Sequence, residues 1–429
     1  MCLVAPNIPY SRIAMRLSHQ SLILIVLSAV HIVNSHFARA GSPKVAAAWY
    51  GDWSADSNPS VPVSQLSWSK YTHMIYSFAK TTPDVKQLDL SDADPQLLPK
   101  FVEEAHKHGV KASISVGGWT GSRFWSSNVG SAANRTGFIN TLTALVLKYN
   151  LDGLDFDWEH PGRQGIGCNV VNPKDTANFL SFLRKLRQHP VGAKLVLSAS
   201  TSILPFVDGT GSPSTNVAQF ADVLDWIAIM NYDIYGPWSD VVGPNAPLND
   251  SCAPPAYQQG SATSAVKQWT AAGFPTSKIV LGVAAYGYSF TVKPSDALKG
   301  GSLVPYPPFD KSNIPIGDSW SSPAGTDVCG NLTPNDGTVN FWGAVALGYL
   351  DYNGKPQKGI AYKYDTCSKT AYAYNTTSGI MISYDDTTAF SEKGTFIRSS
   401  GLLGFSMWTA GGDYQDLLLD SIRSSTGFY

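Results

Sequence analysis

Eight short apolar runs punctuate the chain: KVAAAWY (44–50), YTHMIYSFA (71–79), KASISVGG (111–118), LDGLDFDWE (151–159), AKLVLSAS (193–200), DWIAIMNYD (225–233), KIVLGVAAYG (278–287) and GLLGFSMW (401–408). Between most of them, apolar residues recur at helical spacing, over 94–108, 133–149, 174–188, 217–223, 261–272, 388–399 and 414–424. Strand-like runs of this length alternating with helical patterns predict parallel strands joined by helical crossovers. Repeated around the chain, the pattern predicts an α/β fold, a (β/α)8 barrel.

The fourth run carries unusual chemistry. Leu154, Phe156 and Trp158 alternate with Asp155, Asp157 and Glu159, and Asp152 precedes them. A strand sends successive side chains to opposite faces, so residues 155, 157 and 159 share one face. In a parallel sheet both faces are covered, which turns these acids into the barrel or its mouth. Crowded carboxylates there must shift their pKa values and share protons. A solvated strand face or a calcium site are the bland alternatives. Other polar strand ends fall at the same rim: Ser115, Gly117 and Gly118 after the third run, Met230, Tyr232 and Asp233 in the sixth, Tyr286 in the seventh, and Met407-Trp408 in the eighth. Barrels of this kind keep their active sites at that end.

One connection is too long for a βα loop. About a hundred residues separate the seventh run from the helical pattern at 388–399, well beyond the usual length. Residues 291–378 are expected to form a small α+β insertion walling the cleft, with the barrel in 41–290 and 379–429. At the other end, Arg12 and Arg16 precede the apolar run 22–33, and ARA (38–40) resembles a cleavage site. Residues 1–40 therefore read as a signal peptide, and the product as a secreted, extracellular monomer with no membrane association after cleavage.

Composition narrows the function. A net charge of −1 gives no electrostatic footprint for nucleic acid, and 12% aromatic content supplies a large core. With Cys2 in the leader, Cys168, Cys252, Cys329 and Cys367 remain, an even number in an oxidising compartment. Three pairings are possible, and sequence proximity favours Cys329–Cys367 with Cys168–Cys252. Their wide spacing, without a C-x-x-C, argues against zinc. Asn134, Asn249, Asn331 and Asn375 head glycosylation sequons.

The residues also carry a family resemblance. DGLDFDWE (152–159) is similar to the D-x-x-D-x-D-x-E signature of family 18 glycoside hydrolases, the chitinases and their relatives. Ser115-Val116-Gly117-Gly118 resembles their S-x-G-G motif, MNYD (230–233) their M-x-Y-D, and Trp408 their strand-eight tryptophan. YDTCSKTAYAYN…ISYDD (364–386) resembles the end of the insertion in deep-cleft chitinases, so the likeness spans roughly 44–424. It implies that Glu159 is the general acid and that Asp157 orients the substrate's N-acetyl group, whose oxygen attacks the anomeric carbon. Asp155 would share a proton or hydrogen bond with Asp157, Tyr232 would bind the acetamido oxygen, and Asp233 sugar hydroxyls. Trp408 would floor the cleavage point, with Trp119 and Trp238 stacking on neighbouring sugars.

Packing competes with function for several aromatics. Trp119 and Trp238 could instead be buried, and Trp49, Phe78, Tyr286 and Met230 suit either the core or the cleft wall. Tyr288 stands where many relatives have arginine. The resemblance implies retaining hydrolysis of chitin and chitooligosaccharides without metal or organic cofactor, and a bell-shaped pH profile on the acid side of neutrality. The alternatives are an endo-β-N-acetylglucosaminidase acting on N-glycans and a chitin-binding lectin.

Overall fold

A computed structural model describes residues 44–91 and 96–428. The expected signal peptide and Cys2 lie outside the described residues. Seven barrel strands come first: β1 (Val45–Gly51), β2 (His73–Thr81), β3 (Lys111–Gly117), β4 (Gly153–Asp157), β5 (Val196–Thr201), β6 (Trp226–Ile229) and β7 (Ile279–Ala284). The chain then builds a separate antiparallel sheet from β8 (Tyr286–Thr291), β9 (Thr338–Asn340), β10 (Ile360–Asp365), β11 (Thr370–Asn375) and β12 (Ile380–Tyr384), in the order β9-β8-β12-β11-β10. β13 (Gly404–Trp408) returns to the first sheet, pairing parallel with both β7 and β1. With β1 also parallel to β2, eight strands close into a barrel.

Helices α1 (Leu97–Lys107), α2 (Ala132–Tyr149), α3 (Asp175–Gln188), α4 (Ala218–Ala221), α5 (Ala262–Ala271), α6 (Thr387–Ser399) and α7 (Leu417–Thr426) lie where the helical patterns fall. The alternation lapses after β1, which is followed by one helical turn and two short 3-10 turns. The apolar face of β4 explains how the barrel is clad. Phe156 meets Phe179 and Phe182 of α3 edge-on at 6.0 and 5.7 Å. Trp158 stacks on Trp125 at 5.4 Å. Such outward packing leaves Asp155 and Asp157 facing the barrel interior.

Three strands end earlier than their apolar runs suggest. β4 stops at Asp157, so Glu159 leaves the ladder and is not in strand register with the two aspartates. β6 stops at Ile229, which puts Tyr232 and Asp233 in the following loop. β7 stops at Ala284, and Tyr286 begins the first strand of the insertion's sheet.

The favoured cysteine pairing is overturned. The disulfides are Cys168–Cys329 and Cys252–Cys367. Each joins a loop of the barrel rim to the segment between β7 and α6, so chain separations of 161 and 115 residues are bridged. Closing a longer loop costs only slightly more entropy, which makes sequence proximity a weak guide. Of the sequon asparagines, Asn331 is exposed, while Asn134, Asn249 and Asn375 are half-buried.

Candidate active site

The carboxylates of the fourth strand form a buried column with different partners at each level. Asp155 is fully enclosed and accepts hydrogen bonds from Ser115 (2.9 Å), Ser198 (2.6 Å), Ser200 (3.1 Å) and the Trp49 indole (3.2 Å). Those bonds oppose a pKa that burial raises. Three of the four converge on Oδ2 and one on Oδ1; none runs to Asp157, where the resemblance implied a shared proton or bond. The two acids interact through space, since Asp155 raises the Asp157 pKa.

Asp157 is placed differently. It is buried, its Oδ1 has no hydrogen-bond partner among the described residues, and its pKa is driven well above the usual range by burial and then by Glu159. A buried polar atom without a partner is costly, and among the several here that of Asp157 is the one on a carboxyl whose pKa Glu159 raises. Glu159 sits one step higher with its side chain 15% exposed. Burial and the nearby Asp233 push its pKa up to about 8. The upward shift favours the protonated form, the state a general acid requires.

Backbone geometry fixes this spacing. Ser122 donates its hydroxyl to the Asp157 carbonyl at 2.9 Å and accepts the Glu159 N–H at 2.9 Å, bridging the two acids. Gly118 N–H donates to the same Asp157 carbonyl at 2.9 Å. A Cβ on Gly117 would lie 2.0 Å from that oxygen, so only glycine permits the approach. The peptide bonds Ser77–Phe78, Glu159–His160 and Trp408–Thr409, all beside the cleft ends of barrel strands, are cis.

The loop after β6 supplies the facing side. Tyr232 is buried beside the carboxylates, and burial followed by Asp157 holds its hydroxyl protonated far into the basic range. Asp233 adopts a left-handed backbone (φ 58°), its N–H held by the Asn245 side chain at 2.8 Å. Its carboxylate accepts the hydroxyls of Tyr286 (2.6 Å) and Tyr288 (2.7 Å). Asp233 is open to solvent at the residue level, yet crowded by the cleft walls, and burial raises its pKa. Tyr288, the departure from the family pattern, is thus a hydrogen-bond donor to a site carboxylate. Replacing Asp233 with Asn removes an anion that raises the Glu159 pKa. The basic limb of the pH–rate profile should then move to lower pH, measured as kcat/KM across pH 5–9 (roughly the range where such groups titrate). An unmoved limb would assign it to another group.

The aromatic candidates divide cleanly. Trp49 is 1% exposed and belongs to the core beneath the site. Trp408 is half-buried above it, 6.0 Å from Trp49 and 5.7 Å from the stacked ring of Phe78. Met230 is half-buried against the cluster that includes Tyr286 and Tyr288. Trp119 and Trp238 are 50% and 58% exposed, which excludes the packing role for both. Asp152 lies at the opposite end of β4, bonded to His106 and Lys111 on the outer surface, and is remote from the chemistry.

Sequence reasoning missed Ser122, Ser198, Ser200, Asn245 and Trp53. The serines occupy alternate strand positions or a turn and look like ordinary polar filler. Trp53 lies 6.2 Å from Trp408 and is 39% exposed. It folds back over Gly51, where a Cβ would come within 2.2 Å of the indole. Exposed rings of this kind suit pyranose faces. Trp119→Ala should weaken binding of long chitin chains by about 1–2 kcal/mol and leave the shortest bound oligomer nearly unaffected. Calorimetric titration with oligomers of increasing length checks this; equal losses at all lengths would contradict a role as an outlying platform.

A barrel of eight parallel strands, with paired acids at the end of the fourth and a tryptophan at the end of the eighth, defines a carbohydrate-hydrolase architecture. The chain belongs to the glycosyl hydrolases family 18, whose family model matches residues 45–413. A chitinase-like effector of Moniliophthora roreri is 49% identical over 95% of this chain and 98% of its own. Chitinase A1 of Niallia circulans is 30% identical over 73% of this chain and 42% of its own. The crystal structure of a chitinase from Rhizomucor miehei is similar, with TM-score 0.79 and 32% identity, covering 89% of this chain and 100% of that one.

Proposed function

We propose that this protein hydrolyses the β-1,4 linkages of chitin and chitooligosaccharides with retention, using the substrate's own acetamido group as nucleophile. The observation that carries this reading is the buried, unpartnered Oδ1 of Asp157 beside a Glu159 whose pKa is raised to about 8. A carboxyl so deeply buried, flanked by a second acid, is a poor free nucleophile, while its unpartnered Oδ1 is free to accept an amide N–H. Glu159 gives its proton to the glycosidic oxygen as the bond to the anomeric carbon breaks. The acetamido oxygen closes on that carbon, with its N–H held by Asp157 and its oxygen by the Tyr232 hydroxyl. Glu159, now a carboxylate, deprotonates the water that opens the cyclic intermediate on the same face. Asp155, tied to three serines and Trp49, stays in place and repels a second charge on Asp157.

The aromatic floor of Trp408 and the exposed Trp119, Trp238 and Trp53 suit a linear polymer of pyranoses, which favours chitin over a branched N-glycan. A second reading is a chitin-binding protein that does not turn over, favoured by the relative described as a chitinase-like effector. One experiment separates them: incubation of chitin hexamer with the protein, followed by chromatography that resolves product anomers. Shorter oligomers with β-anomers at the new reducing ends support hydrolysis with retention; α-anomers contradict the mechanism, and intact hexamer that is nonetheless bound supports the lectin. Secretion, directed by the leader at 1–40, is part of the proposal, as is glycan attachment at the exposed Asn331.

A further inference from the structure

The segment between Asp318 and Thr338 behaves unlike the rest of the insertion. Its base is tied down: Asp318 N–H donates to the Thr338 carbonyl at 2.9 Å, and Asp336 accepts from Ser321 and Ser322. From there a hairpin projects, with Gly325–Thr326 antiparallel to Leu332–Thr333 and Cys329 in the connecting turn. Its residues are almost all exposed, Leu332 at 88%. Two-residue ladders without a packed face do not hold a hairpin in place.

Its two ends touch opposite sides of the barrel mouth. At the base, Ser319 donates to the Asn58 carbonyl and the Trp320 indole to the Pro59 carbonyl at 3.0 Å, both in the loop after β1. The Trp320 ring also covers Gly411, in the loop after β13. At the tip, Cys329 is bonded to Cys168, in the loop after β4. That loop is itself anchored at the chemistry, since Asn169 donates to the Glu159 carbonyl at 2.7 Å. In a ring of eight strands β4 stands across from β1 and β13. Strands about 4.8 Å apart and tilted about 36° close a ring roughly 15 Å across. The residues from 320 to 329 can reach up to about 30 Å when extended, ample for the crossing.

We propose that the Cys168–Cys329 disulfide locks the 321–336 hairpin as a roof across the cleft, so that a polysaccharide enters by threading a free chain end. The identity of the threaded chain rests on the function proposed above; the roof rests on the disulfide and the strand order. An open groove accepts a chain laid in from above, whereas a bridged one rejects any chain whose two ends are both bulky. This is selection by steric exclusion.

The test compares chitin hexamer with free ends against the same hexamer coupled to a bulky dextran at both ends. Binding is read by calorimetry in the full chain carrying Glu159→Gln, so the result does not depend on cleavage. With the disulfide intact, the free hexamer should bind at least about tenfold more tightly than the doubly blocked one. In Cys168→Ser/Cys329→Ser, and in a Cys168→Ser protein with residues 326–332 replaced by two glycines, that ratio should fall towards one while free-hexamer affinity is kept. The second variant guards against a hairpin that stays down without its disulfide. Equal binding of both ligands by the disulfide-intact protein, or a ratio unchanged in both opened variants, would overturn the roof. Wild-type protein that leaves free hexamer uncut while the ratio behaves as expected would remove the hydrolytic reading and leave the roof standing.

Discussion

Glu159→Gln is expected to lower chitin hydrolysis by about 10²–10⁴-fold while binding of chitin oligomers survives. Gln keeps the size of the side chain but has no acidic proton, and the leaving oxygen then departs as a poor alkoxide. The environment is what assigns the proposed acid role to this residue and not to Asp155. Glu159 is partly open to the cleft with its pKa pushed up to about 8 by burial and Asp233, whereas Asp155 is sealed among serines. The raised value also moves the expected basic limb beyond the acid-side profile that the sequence suggests. Turnover measured on hexamer, alongside calorimetric binding, checks both halves. Retention of more than about a tenth of wild-type turnover would exclude Glu159 as the general acid.

The second large effect concerns the nucleophile. In partly deacetylated chitin, every new reducing end should carry an acetylated sugar, and fully deacetylated polymer should resist cleavage. Its amine has no carbonyl oxygen to attack with. Asp157→Asn should lower turnover by roughly 10²-fold or more, because an amide in place of the carboxyl can no longer take up or release a proton as charge moves between Glu159 and the acetamido group. The same change should distort the pH profile, since Asp157 and Glu159 titrate as a pair. Mass spectrometry of the products identifies the sugar at each new end. Deacetylated ends would show that a protein carboxylate attacks directly, and the roles of Asp157 and Tyr232 would fall.

Several of these features were legible before any coordinates. Alternation at period 2 in β4, and helical spacing of Phe179, Phe182, Leu183 and Leu186, report which side of each element is buried, and that is a local property of the chain. The barrel, the rim of polar strand ends and the acid column follow from it. Ladder ends did not follow. The apolar runs continue past β4, β6 and β7 because Trp158, Met230 and Ala285 remain buried or half-buried after the backbone has left the sheet.

What the sequence alone determined is therefore the run of candidate acids and the barrel end at which they gather. Tertiary structure decided who touches whom. Asp155 bonds to Ser115, Ser198, Ser200 and Trp49, contributed by β3, β5 and β1, and no spacing along the chain encodes that meeting. Tyr288 reaches Asp233 across 55 positions, and Cys168 finds Cys329 across 161. Proximity in sequence pointed to the wrong disulfides because loop-closure entropy rises only as the logarithm of length, while the fold brings distant loops to one rim. Periodicity records burial, residue by residue; contacts across a closed barrel depend on the whole ring, and only the ring contains them.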